Sequence, residues 1–197
     1  MRYSAEHKQE TRARILAAAG QVFRKEGYGG AGIDALTKAA GVTNGAFYNH
    51  FTSKGEAFRI VVLEGLQALR GSISELKAYW PKDWVTAFAA YSMGYRRTCD
   101  LGGSCALPSL SPDVIRADLE TRQAYTEALR RIIEDTAEGL TGERSDREDR
   151  AIALLALLSG GVTLARAVSD PELSERIAQA IERAAPGIAN AENGADS

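Results

Sequence analysis

At 197 residues and 45% hydrophobic content, the chain holds material for a head of about 50 residues and one larger helical body. Its two histidines and two cysteines form no cysteine–histidine, serine–histidine or paired-carboxylate constellation and no metal-ligand spacing, so neither an enzyme nor a cofactor is expected. A net charge of −2 and a pI of about 5.8 argue against nucleic acid only if the charge is evenly spread, and it is not: residues 1–60 hold nine Lys/Arg against five Asp/Glu, while residues 61–197 hold fifteen against twenty-one.

The first element is a helix over residues 10–26, with Ile15, Leu16, Ala19, Val22 and Phe23 as its apolar stripe; Gly27, Tyr28, Gly29 and Gly30 close it. Arg2, Lys8, Arg12 and Arg14 at the start of the chain could touch a nucleic-acid backbone or simply form the solvated face of the first helix. A short helix follows with Ile33, Leu36, Ala39 and Ala40 at helical spacing, ending at Gly41, which suits a left-handed C-cap. Its start offers only Gly32, a weaker cap than serine or threonine, and Asp34 in its first turn suits the helix dipole but repels phosphate. Lys38 is the cation left on this helix for a backbone contact.

Thr43 can cap the next helix, whose Phe47 and Phe51 point inward at i and i+4. Asn44, Gly45, Ala46, Tyr48 and Asn49 then face outward, mixing small residues that let a backbone approach closely with amide and phenol groups suited to base edges or phosphates. This division is that of a helix-turn-helix. Ser53, Lys54, Gly55 and Glu56 read as a capping box that starts a long helix, with Lys54 opposing the dipole in the first turn unless a phosphate sits there.

The run from Ala39-Ala40-Gly41-Val42-Thr43 to His50-Phe51-Thr52-Ser53-Lys54 resembles the TetR family of bacterial transcriptional regulators, whose head reads AAGV-[ST]-x-[GA]-x-[FL]-Y-x-H-F-x-[ST]-K. The resemblance implies that Asn44, Gly45 and Ala46 lie along base edges and that Thr43, Tyr48, His50 and Lys54 hold phosphates, with Asn49 able to do either. It also implies a double-stranded DNA operator, a repressor role, release by a ligand, and a dimer formed by the last two long helices. The family usually begins its second helix from a serine or threonine cap, and this chain departs there.

From Lys54 the apolar residues Phe58, Val62, Leu66, Leu69, Ile73 and Leu76 describe a long helix in spite of Gly65 and Gly71. After Pro81, Asp83 can cap a helix containing Trp84, Phe88, Tyr91 and Tyr95. A break spans Leu101 to Pro108; Ser111, Pro112 and Asp113 then read as an N-cap with proline at the first helical position. The stripe Ile115, Leu119, Tyr125, Leu129, Ile132 and Ile133 follows, with a short break around Asp118 to Thr121 and an end near Gly139. Residues 141–150 are dense in charge, and residues 151–168 are apolar nearly all round. Ser159, Gly160, Gly161, Thr163 and Arg166 spoil that run as a membrane span, so a helix packed on its own body and on a partner chain is expected, and no membrane. The last helix starts at Ser169, Asp170 and Pro171, carries Leu173, Ile177 and Ile181 on one face, and stops at Pro186 and Gly187.

The fold class is therefore all-α with about nine helices. The divisions are a helix-turn-helix DNA-binding domain at residues 1–53, a ligand-binding and dimerisation body at 54–187, and a small, polar, disordered tail at 188–197. A homodimer through helices 151–168 and 171–185 would set two recognition helices about 34 Å apart on a pseudo-palindrome. The aromatic group Tyr79, Trp80, Trp84, Phe88, Tyr91 and Tyr95 either packs the core or lines a pocket for a small apolar or aromatic effector; Cys105 and Tyr125 join Trp84, Phe88, Tyr91 and Tyr95 as ligand-site candidates. With no signal peptide and only Cys99 and Cys105, a cytoplasmic setting is expected. Cys105 is open to two readings, a buried small hydrophobe or a sensor of electrophiles or oxidants with a positive neighbour. A helical ligand-binding module without DNA binding is the remaining alternative, and the exposed polar face of Thr43, Asn44, Tyr48, His50 and Lys54 speaks against it.

Overall fold

The computed structural model describes residues 5–190; Arg2 and the tail residues 191–197 lie outside them. Nine α-helices, one five-residue π-helical segment and one 3-10 turn make up the described residues, with no strand among them. In order the helices are α1 (Ala5–Gly30), α2 (Ile33–Ala40), α3 (Asn44–Tyr48), α4 (Lys54–Tyr79), α5 (Trp84–Tyr91), α6 (Ala106–Val114), α7 (Leu119–Glu138), α8 (Arg144–Ala167) and α9 (Pro171–Asn190). Two compact units result: residues Met1–Gly65 with Asp100–Thr126, and residues Leu66–Cys99 with Glu127–Ser197. The first is larger than a 1–53 head, because it takes in the start of α4, the 3-10 turn Leu101–Gly103 and α6.

In the first unit, Ile15, Ala19 and Phe23 of α1, Leu36 of α2, Phe47 of α3, Phe51 and Phe58 are all buried. Each such large apolar side chain contributes about 1.5–3 kcal/mol by leaving water. Phe58 receives the edge of Phe23 at 5.3 Å and lies 4.8 Å from the ring of Tyr28. The helical path of α1 breaks at Gly27, whose φ of 70° and ψ of 166° only glycine adopts without strain. The backbone N–H of Tyr28, freed by that break, donates to Asp113 Oδ2 at 2.9 Å.

That contact explains a departure from expectation. Ser111, Pro112 and Asp113 do not start a helix: α6 begins after Cys105 and runs through Pro112, Ser111 donates its hydroxyl to the Leu107 carbonyl, and Asp113 is held by α1. One missing ladder bond is tolerated because the helix face is fixed by buried Ala106, Leu110 and Val114. The break before α7 falls where the sequence places it, with Asp118 Oδ1 accepting the Thr121 N–H at 2.7 Å.

In the second unit, α8 buries Leu154, Leu155, Leu158, Val162 and Ala165, and α9 buries Ala178, Ala185 and Ala189. Gly161 lets α9 approach so closely that a Cβ there would lie 2.8 Å from Ile181 Cγ1. The charged residues 144–150 form the first two turns of α8 rather than a loop, because Arg150 pairs with Asp146 at 2.8 Å and donates to the carbonyls of Thr141 and Ala189. The Ala189 bond, at 2.6 Å, also satisfies a carbonyl of the last turn of α9, which continues through Pro186 to Asn190 instead of stopping there. By length and composition α8 could cross a membrane; its buried stripe makes it the core helix of this unit.

Candidate DNA interface

Local sequence sets the recognition face. Gly41 ends α2 at φ 63°, ψ 39°, its N–H bonded to the Lys38 carbonyl, and the chain turns through Val42 into Thr43. Thr43 caps α3 by accepting the Ala46 N–H at 3.1 Å. Phe47 and Phe51 anchor the helix inward at 5.2 Å from each other, leaving Asn44, Gly45, Tyr48 and Asn49 exposed and Ala46 half-buried. Tyr48 is 55% exposed, so its phenol projects clear of the domain. A Cβ on Gly45 would meet only Thr43 Oγ at 3.9 Å. Nothing inside the chain therefore requires glycine there, which is the pattern expected where an outside body approaches the backbone.

Three residues in this face are tied differently from the sequence expectation. Lys54 Nζ donates to the carbonyls of Tyr28 at 2.8 Å and Ala31 at 3.0 Å and sits 4.1 Å from the centre of the Tyr28 ring. Its charge thus covers carbonyls at the C-terminal end of α1, and the dipole of its own helix is a lesser term. Asn44 has its amide nitrogen 2.7 Å from Asp34 Oδ1, while its amide oxygen accepts the buried Thr37 hydroxyl at 2.8 Å. His50 is half-buried with Nδ1 enclosed and unpartnered, and desolvation, followed by the charges of Lys8 and Arg12, holds its imidazole below the ordinary value.

The capping box is displaced by one residue. Ser53 Oγ accepts the Glu56 N–H at 3.0 Å as expected, but the Glu56 carboxylate takes the N–H and hydroxyl of Thr52, at 2.6 and 2.7 Å, and so falls below the usual carboxylate range. Gly32 caps α2 without a side-chain bond. Arg12 lies over the Phe51 ring at 5.2 Å, while Lys8, Arg14 and Lys38 remain exposed on the same unit.

The residues expected around a ligand separate into different environments. Trp84 and Phe88 are core, each 3% exposed, and Trp84 Nε1 donates to the Gly139 carbonyl at 3.0 Å. Tyr91 and Tyr95 are exposed and stack on each other at 5.6 Å. Cys105 and Tyr125 belong to the first unit, where Tyr125 and Ser111 share a hydrogen bond of 2.7 Å. The second unit carries a groove of about 640 Å³ lined by Ser72, Glu75, Leu76, Ala78, Tyr79, Trp80 and Tyr91. Its α4 residues 72, 75, 76 and 79 follow i, i+3, i+4 and i+7; of these the sequence singles out Leu76 in the apolar stripe and Tyr79 in the aromatic group.

Residues 15–59 match the sequence profile of bacterial regulatory proteins, tetR family. An uncharacterised HTH-type transcriptional regulator of Mycobacterium tuberculosis is 27% identical over 182 residues, covering 89% of this chain and 92% of the relative. The HTH-type regulator SrpR of Pseudomonas putida is 43% identical over 61 residues, 31% of this chain and 29% of that one. Among solved structures, the reduced form of Escherichia coli NemR superposes with a TM-score of 0.72 at 22% identity, over 88% of this chain and 96% of NemR. With its helix-turn-helix intact from Gly41 to Phe51, the chain carries a tetR-family head over residues 15–59 and is a DNA-binding transcriptional regulator.

Proposed function

We propose that the protein is a homodimeric, cytoplasmic repressor released from a pseudo-palindromic operator by a small apolar or aromatic effector. The observation that carries the dimer is an unpartnered face on α8. Ala153, Ala156, Gly160, Thr163 and Ala167, spaced 3, 4, 3 and 4, are all exposed, flanked by Ile152 at 48% and Leu164 at 60% exposure. Such a seam of small residues with apolar flanks suits close packing on a second copy. Leu173 at 40% exposure extends it onto α9. Two heads on one duplex also answer the modest positive balance of a single head.

The groove with Tyr79, Trp80 and Tyr91 has the volume and the aromatic lining of a small-molecule site and supports the effector role. The effector would act by preferring one body conformation and lowering the population that matches the operator. Sedimentation of the protein on a selected operator tests the proposal: two chains per duplex are expected, and Gly160→Glu should give a monomer that loses the operator. A wild-type monomer holding a half-site at full affinity would refute it.

A second reading has its own support. Cys105 is the residue immediately before α6, half-buried, with the Arg24 guanidinium in electrostatic contact. Next to it Ala106 packs so tightly on Gly65 that a Cβ could not be added there, so a bulky adduct on the sulfur would press on α6. An electrophile- or oxidant-sensing repressor would use this thiol. A Cys105→Ser protein that still leaves its operator on treatment with an electrophile would rule that reading out.

A further inference from the structure

Asp34 sits where a carboxylate is least expected. It is exposed in the first turn of α2, in a head built to meet a polyanion, and it is bonded to the first residue of the recognition helix. The bonding fixes the amide of Asn44 without ambiguity. A carboxylate can only accept, so the Asn44 nitrogen faces Asp34 Oδ1 at 2.7 Å, and the amide oxygen faces the Thr37 hydroxyl at 2.8 Å. Thr37 is 4% exposed and anchored on α2, so the pair is held from beneath. Two functions are left over at the surface: Asp34 Oδ2 as an acceptor, and the second N–H of Asn44 as a donor.

We propose that Asp34 and Asn44 act as one reading unit for a C·G pair in each operator half-site. This rests on α3 entering the major groove, the geometry of its motif. There cytosine presents its N4 amine beside guanine O6. Asp34 Oδ2 accepts from N4, and the free Asn44 N–H donates to O6. The reversed G·C pair turns acceptors toward the carboxylate, as does the thymine O4 of a T·A pair, and both are rejected by repulsion between lone pairs and charge; an A·T pair offers the same amine–carbonyl order and is disfavoured less, by the adenine N7 lone pair beside the carboxylate. Asp34 thereby lowers affinity for DNA in general and raises discrimination at one position.

The test is selection of operators from random duplexes by the full-length protein, followed by binding to each single-pair variant at fixed salt, for wild type and Asp34→Asn. Asparagine keeps the shape and still accepts from Asn44, and a thermal melt checks the fold. Wild type is expected to favour C·G at one position of each half-site, to accept A·T there less well, and to exclude G·C and T·A. Asp34→Asn is expected to lose about tenfold or more of the preference for C·G over G·C there, leaving the other positions as they were. If base preference is the same in both proteins at every position and affinity shifts uniformly, the pair is only a clasp between α2 and α3, and the inference falls. Should the variant unfold, the wild-type selection decides alone, because half-sites with no position that favours C·G and excludes G·C and T·A overturn the inference. Binding with no sequence preference at all would instead remove the groove geometry beneath it.

Discussion

Lys54→Met separates a structural lysine from a phosphate-gripping one. The ammonium makes two charge-assisted hydrogen bonds, at 2.8 and 3.0 Å, and lies 4.1 Å from the Tyr28 ring centre. Bonds of this type contribute about 1.5–3 kcal/mol each, and a partly exposed cation–π contact about 0.5–1 kcal/mol. These do not add, because all three contacts share one ammonium; a net loss of about 2–3 kcal/mol is expected. For a chain of this size that lowers the melting temperature by about 5–10 °C. Methionine keeps the length and helix propensity of the side chain, so the loss isolates the charge. Scanning calorimetry gives the first readout, and the salt dependence of operator affinity at a temperature where both proteins are folded gives the second. Each lost phosphate contact reduces the slope of log K against log salt by about 0.9. With the ammonium turned inward, the slope stays at the wild-type value while the melting temperature falls. A wild-type melting temperature together with a shallower slope would refute this assignment.

Gly161→Ala should destabilise the second unit by about 1 kcal/mol, as strain against Ile181 exceeds the gain in helix propensity, and chemical denaturation measures it. Gly65→Ala should lower the melting temperature through its clash with Ala106, and Ala106→Gly in the same chain should restore most of it; a double mutant no better than the single would refute that contact. His50 has a folded-state value below its ordinary one, so the unfolded chain takes the proton more readily and stability falls as pH drops below about 6.5. Denaturation at about pH 7.5 and about pH 5.5 should show that fall, and His50→Gln should flatten it.

The head was legible because its signals are local. The left-handed Gly41, the Thr43 cap and the inward Phe47 and Phe51 each act within a few residues, and the helix-turn-helix follows from them. What escaped the sequence depends on partners far along the chain. Lys54 looks like a surface cation until the carbonyls of Tyr28 and Ala31 are beside it, and Asn44 looks free until Asp34 and Thr37 close on it. Proline was read as a helix start at 112 and a helix stop at 186, yet both lie inside helices that long-range bonds hold: Asp113 to Tyr28, Arg150 to Ala189. Trp84, Phe88, Tyr91 and Tyr95 step by 4, 3 and 4 as a single stripe would, but only the first two are buried. Tyr91 and Tyr95 instead stack on each other at the surface, Tyr95 within the π-helical turn from Ser92 to Arg96.

Gly45→Leu tests the recognition face most directly, since the open space around Gly45 lets a leucine stand out from α3 without touching the fold. Its melting temperature should equal or slightly exceed that of the wild type, because leucine is the better helix former. Its affinity for the selected operator, measured by fluorescence anisotropy, should fall by about a hundredfold or more, as the backbone can no longer come close to the base edges. A stable Gly45→Leu protein with wild-type affinity would contradict the placement of α3 in the groove.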